Sequence, residues 1–244
     1  MKLKLIKKQD EAKGTKSFFW ETESPVSWLP GQYFYYTLPT LKYPDTRGAT
    51  RHFTISSSPT EGATLRLTTR IREESGFKKT LDELQIGQVL EGQGPEGTFI
   101  LDENEKEKNH VFLAGGIGIT PFRAFIKYNI DKNLQIPMHL IYSNSVPEEI
   151  AFRKELEDWA KNYPYIKVAM TISKPEESKE TWSGQIGRID ELKISEFTGN
   201  WELEIGNLTW WVVGPPVFID AMEEVLSKMK ISSDKIRSEK FTGY

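Results

Sequence analysis

The chain has 244 residues, 38% hydrophobic and 27% charged, a globular balance with room for one large domain or two small ones. The absence of cysteine excludes disulfides, iron–sulfur clusters, thiolate zinc sites and cysteine nucleophiles, and three scattered histidines (His52, His110, His139) give no metal site to expect. A net charge of −3 argues against a nucleic-acid surface, no apolar stretch approaches the roughly 18–20 residues of a membrane span, and charges interrupt the N-terminal MKLKLIKKQD, so a soluble, cytoplasmic protein is the expectation.

Short β-type runs fill the first part of the chain, at 3–6, 17–21, 32–38, 52–56 and 63–70, mixing apolar, aromatic and β-branched residues. Pro25, Pro30, Gly31, Pro39, Pro44, Gly48 and Gly62 punctuate them. Helical periodicity is confined to a short window at 78–84. The pattern predicts an antiparallel barrel or sandwich.

Residues 102–109 (DENEKEKN) are polar and lack an apolar anchor. They read as an exposed linker, or alternatively a long hairpin loop, and the domain boundary is placed there: 1–103 and 104–244. Beyond it strands alternate with helices. Strands are predicted at 110–114, 138–143, 167–173 and 210–213, and helices at 121–128, 148–161 and 217–229. The helix at 148–161 would carry Ile150, Phe152, Leu156 and Trp159 on its apolar face. This alternation predicts a parallel sheet covered by helices. The polar stretch 175–207 resists assignment.

The strongest local feature is Gly115-Gly116-Ile117-Gly118-Ile119-Thr120-Pro121, which leaves a strand and opens a helix. Gly115 and Gly116 would make the tight turn and let backbone approach a phosphate. Thr120 reads as the helix N-cap and Pro121 as its first residue. The free N–H groups there suit a pyrophosphate. A glycine turn without a ligand is the plainer alternative. Gly214-Pro215-Pro216 repeats the strand-turn-helix context, and the two turns could line one crevice.

With these residues in view, the chain resembles the ferredoxin–NADP+ reductase superfamily over nearly its whole length. Four motifs carry the resemblance, in family order. Arg51-His52-Phe53-Thr54 resembles the flavin-binding Arg-x-Tyr-Ser motif, and the Gly115–Pro121 loop resembles the nicotinamide-dinucleotide loop. Gly214-Pro215 resembles the turn near the nicotinamide, and the chain ends on an aromatic residue, Tyr244, as many members do. The resemblance implies two domains. One is an N-terminal six-stranded antiparallel β-barrel holding flavin. The other is a C-terminal α/β domain with a five-stranded parallel sheet holding NAD(P)H.

Roles follow by position, as implications of the resemblance. Arg51 would pair with a flavin phosphate, flanked by His52, with Phe53 against the isoalloxazine and the Thr54 hydroxyl near flavin N5. Phe at 53 loses the family tyrosine's hydroxyl. Thr69 and Arg70 lie on the strand used beside the flavin's pyrimidine edge. Lys78, Lys79 and Thr80 stand where the family has a phosphate-binding glycine–serine turn, and a solvated basic turn is the alternative. Glu239 would relay protons near N5 or form a salt bridge. Tyr244 would cover the flavin and move aside for the nicotinamide. Val213 stands where many relatives carry cysteine. At the ribose, Ser143 heads a run (Tyr142-Ser143-Asn144-Ser145) with serine in place of the arginine that grips a 2′-phosphate; Arg153 is the nearest substitute. The expected cofactors are FAD, favoured over FMN, and NADH or NADPH, with a lean to NADH. The expected activity is a flavin-dependent oxidoreductase passing electrons to a one-electron acceptor such as ferredoxin or flavodoxin. A reductase subunit serving an oxygenase or a ferric chelate, and a non-catalytic nucleotide-binding module, are the rival readings.

Overall fold

The computed structural model describes residues 1–105, 108–199 and 208–242. Its first half is a sheet of six antiparallel strands: β1 Lys2–Ala12, β2 Thr15–Thr22, β3 Tyr33–Thr37, β4 Thr50–Thr54, β5 Leu65–Arg70 and β6 Val89–Glu96. The order is β4-β3-β6-β1-β2-β5. The outer strands meet just past β4, where Ile55 bridges Leu67 and the Ser56 N–H donates to the Arg66 carbonyl at 2.8 Å. The sheet therefore closes into the expected barrel. Alternation drives it: in β1, Leu3 and Leu5 are fully buried between exposed Lys2 and Lys4. Helix α1 (Gly76–Asp82) closes the barrel with Phe77 and Leu81, each fully buried and worth on the order of 2 kcal/mol. It starts earlier than its periodicity suggested, because the Ser75 hydroxyl accepts the Lys78 N–H and caps it.

The second half is a parallel sheet of β7 Asn109–Gly115, β8 Met138–Asn144, β9 Ile166–Ile172, β10 Gln185–Ile186, β11 Leu208–Gly214 and β12 Ile236–Lys240. Helices α2 Ile119–Asp131, α3 Arg153–Asn162, α4 Glu191–Thr198 and α5 Pro216–Lys228 connect these strands. The strand order is β10-β9-β8-β7-β11-β12. Six strands replace the expected five. Two-residue β10 and the charged β12 (IRSEK) are edge strands, and edges need little apolar sequence to pair. Stretch 175–207 supplies β10 and α4 before passing, from residue 200, outside the described residues.

The helix expected at 148–161 begins only at Arg153. Pro147–Glu149 forms a 3-10 turn, and Phe152 adopts a left-handed φ of 59°. Ile150 and Phe152 are buried in the sheet-side core ahead of the helix rather than on its stripe, with the barrel's Arg66 guanidinium 4.7 Å from the Phe152 ring. The linker and the residues before it pack too: Phe99 meets Trp211 edge-on at 5.0 Å between centroids, and linker Glu105 pairs with Arg237 at 3.0 Å. Among the described residues no helix is long and apolar enough to cross a membrane.

Candidate active site

Strand order turns at β7: β8 continues to one side and β11 to the other. Ligands of such sheets bind at the carboxyl ends of the strands around this switch point. The glycine loop leaves β7 and the Gly214 turn leaves β11, so the two turns are neighbours. The loop runs through a 3-10 turn, Gly116–Gly118, straight into α2. That continuity displaces the expected cap. Gly118 is the N-cap, and Thr120 lies within the first turn, donating its hydroxyl to the Ile117 carbonyl at 3.2 Å. Pro121 accordingly stands third in the helix.

The two glycines that matter most do so for different reasons. Gly116 takes φ 54°, disfavoured for other residues, and a Cβ there would face the Arg70 guanidinium at 3.7 Å. Gly118 has ordinary dihedrals, but a Cβ would lie 2.2 Å from the Val213 carbonyl oxygen. Buried Val213 therefore presents its backbone to the loop, a role that needs no thiol.

Arg70 ends β5 of the barrel and crosses to the sheet. Besides facing Gly116, it pairs with Glu149 at 3.1 Å. Buried Tyr142 and Asn144 stand two residues apart at the end of β8. Arg70, on the strand expected beside the flavin's pyrimidine edge, thus stands at the glycine loop. Thr69 is fully buried beside it. Ser143 is half-buried, level with Gly115 on β7.

The barrel side presents charge. One cleft is lined by Arg47, Arg51, Arg72, Lys78, Asp45 and Ser75. The Arg51 guanidinium donates to Asp45 at 2.5 Å and to the carbonyls of Arg47, Gly48 and Thr50. Asp45 also accepts the Phe77 N–H at 2.9 Å. Burial opposes its charge, yet these donors hold its carboxyl below the usual range. Lys78 is 3% exposed, and burial together with Arg72, Arg70, Arg47 and Arg51 pushes it down to about 7. With Asp45 and Glu74 against Arg47, Arg51, Arg72 and Lys78 the cleft is cationic on balance, and a flavin phosphate fits it.

The adjoining cleft brings both halves together. Tyr33, Arg51, His52, Phe53, Thr54 and Lys78 come from the barrel; Glu239, Lys240, Phe241 and Thr242 come from the far edge of the sheet. His52 packs on the outer barrel face against Tyr33, 4.9 Å between centroids. Phe53 points into the barrel core, 6.0 Å from Tyr36 and from Phe77. Glu239 has a buried carboxylate oxygen that finds no hydrogen-bond partner among the described residues, and burial pushes the carboxyl up to about 7. No cation among the described residues forms an ion pair with it. Lys79 turns to Glu73 at 3.2 Å and to the Tyr43 ring, while the Thr80 hydroxyl donates to the Gly76 carbonyl inside α1. The structure brings neither to the clefts. Tyr244 lies outside the described residues. Asp45, Arg47 and Glu149 escaped the sequence reading, since only the folded loops bring them to the site.

Comparison with known proteins agrees with this geometry. Residues 2–100 match the family model of the oxidoreductase FAD-binding domain, and residues 112–224 that of the oxidoreductase NAD-binding domain. The chain is 25% identical over 243 residues to the glycine betaine monooxygenase reductase subunit of Chromohalobacter salexigens, covering 98% of this chain and 63% of that one. It is 29% identical over 220 residues to the anthranilate 1,2-dioxygenase electron transfer component of Acinetobacter baylyi, covering 88% and 59%. The chain thus spans about 60% of the length of these curated relatives. Among solved structures, the CS-b5R domains of human Ncb5or in the NAD+ form superpose with a TM-score of 0.82 at 25% identity, covering 98% of this chain and 68% of that one. The flavohem-like FAD/NAD-binding domain of the Vibrio cholerae nitric oxide dioxygenase has the same fold, with a TM-score of 0.82 at 17% identity and 98% of each chain covered. With a flavin-domain barrel joined to a nucleotide-binding parallel sheet and both domain families matched in that order, the chain belongs to the ferredoxin–NADP+ reductase superfamily.

Proposed function

We propose that this chain, with its domains divided at 103 and 104, is a cytoplasmic NADH-dependent flavoprotein reductase that passes electrons from bound FAD to a one-electron acceptor protein. The observation that carries the reading is the shared cleft: barrel residues Arg51 and Thr54 face Glu239 of the sheet, and Arg70 of the barrel faces Gly116. FAD, when bound, would supply the redox chemistry that links a two-electron nicotinamide donor to a one-electron acceptor.

The chain's own residues bind, orient and hold protons. Arg47, Arg51, Arg72 and Lys78 hold the flavin phosphates. Thr54 offers a hydroxyl to the reactive edge of the ring. Glu239, poised near neutrality, holds or releases a proton there. Gly116, the start of α2 and Arg70 seat the dinucleotide's pyrophosphate, with Ser143, Gly214 and Pro215 along the crevice. Tyr244 is assigned the gating role over the flavin. NADH is favoured over NADPH because Arg153 is engaged by Glu157 at 3.0 Å and Glu180 at 3.4 Å, and Glu149 brings negative charge to the crevice.

The acceptor is proposed to be an oxygenase component or a ferredoxin, since two relatives of similar sequence are named as electron-transfer partners of oxygenases. The test is an absorption spectrum of the purified protein, followed by separate titrations with NADH and NADPH. A yellow protein bleached preferentially by NADH supports the reading, and a colourless protein that takes up no flavin overturns it. Reduction of ferricyanide without reduction of free flavin marks the subunit that needs a partner.

A further inference from the structure

Helix α2 starts at the glycine loop and runs back along the barrel. Arg123, one turn into it, is 2% exposed. Its guanidinium uses all five N–H donors. Two go to Glu61 of the barrel at 2.6 and 2.9 Å, and one goes to the Ser56 carbonyl at 3.0 Å. The other two go to Glu155 of α3, at 2.9 and 3.1 Å. Glu61 is itself held in place, accepting the Ser58 N–H at 2.7 Å. Ser56 lies two residues beyond Thr54 on the same strand continuation. Rigid elements therefore run without a break from the glycine loop, through α2 and Arg123, to the flavin strand.

Two further contacts dock α2 farther along. A Cβ on Gly31 would lie 2.6 Å from the Phe125 ring, and the Thr60 hydroxyl donates to Asp131 at 2.5 Å. Without Arg123, α2 would keep these contacts and pivot at the end that carries the loop. A planar fork with five committed donors permits one geometry, where an apolar contact in its place would permit several.

We propose that Arg123 is a positioning residue that sets the gap between the nicotinamide and flavin rings by locking the glycine-loop end of α2 to the Ser56–Glu61 segment of the barrel. The proposal rests on the reductase reading above. A misplacement of about 1 Å between reacting groups costs on the order of 100-fold in rate, so a small pivot is enough to register.

The experiment uses the FAD-loaded full chain and its R123K and E61Q variants. R123K keeps the charge but not the fork; E61Q removes the barrel's charge from a side chain that is partly exposed, so it stays foldable if R123K does not. Flavin and NADH affinities, the single-turnover rate of flavin bleaching and the long-wavelength charge-transfer absorbance are measured for each. Expected are affinities within about threefold of the parent, bleaching slowed by about tenfold or more, and a weakened charge-transfer band. A folded variant with a lowered melting temperature but bleaching and band within twofold of the parent would overturn the proposal and leave Arg123 purely structural. Failure of the underlying reading is distinct: the parent protein, loaded with FAD, would bleach with neither nicotinamide, and there would be no ring gap for Arg123 to set.

Discussion

The two halves of the cleft offer anions opposite kinds of partner. The barrel side uses long cationic side chains, with Arg47, Arg51, Arg72 and Lys78 around one cleft and Asp45 already seated on Arg51. The sheet side offers backbone, with Gly116 and Gly118 placed where side chains would be strained or would collide, and Arg70 lent from the barrel. Side-chain charge suits a cofactor that stays, because several charge-assisted bonds must break together for it to leave. Backbone N–H groups suit a substrate that must leave each cycle.

If that division holds, substitutions on one side spare the other. The largest effect is expected from G118A. Its Cβ meets backbone 2.2 Å away, which cannot swing aside as a side chain could. NADH turnover should fall by about 100-fold or more while flavin stays bound. NADH oxidation measured beside the flavin spectrum checks this, and loss of flavin instead would erase the contrast. R51Q should act in reverse. Losing a charge-assisted contact worth about 2–3 kcal/mol weakens flavin retention by about 30- to 150-fold, read by flavin fluorescence titration, with the sheet undisturbed.

A finer test uses pH. Lys78 sits at about 7, so above that pH it is largely neutral until an anion favours its charged form. Flavin binding should then take up a proton, and affinity should fall as pH rises, by up to about tenfold per unit. K78M should flatten the profile. The smallest effect belongs to Glu239, at about 7 in the fold. A carboxyl raised in the folded state holds its proton more tightly there than in the unfolded chain. Its stabilising contribution is therefore present in acid and lost as pH rises from the ordinary carboxyl range through 7. E239Q should remove that loss, raising the melting temperature at pH 8 by about 4–8 °C over the parent, for about 2 kcal/mol, with little difference at pH 4.

Much of the barrel was legible because strand alternation and turn residues are local signals, as the Leu3 and Leu5 pattern shows. The glycine loop was legible for the same reason: strand, glycines and helix start are contiguous. The cap assignment to Thr120 failed because a 3-10 turn extended the helix toward Gly118, a continuity that composition does not reveal. The start of α3 was misread because the apolar spacing of Ile150 and Phe152 looks helical, whereas Phe152 takes a left-handed turn ahead of the helix and packs into the sheet-side core.

The sequence alone determined the order of the two domains, the barrel-then-alternation texture that separates them, and a glycine loop between strand and helix, since each depends on residues close together along the chain. Tertiary structure alone decided that Arg70 reaches Gly116, that Glu239 opposes Thr54 across a cleft, and that Arg123 spends its whole guanidinium between the halves. Those relations join residues tens to nearly two hundred positions apart. A side chain's charge and reach are written locally, but what it meets depends on how barrel and sheet pack.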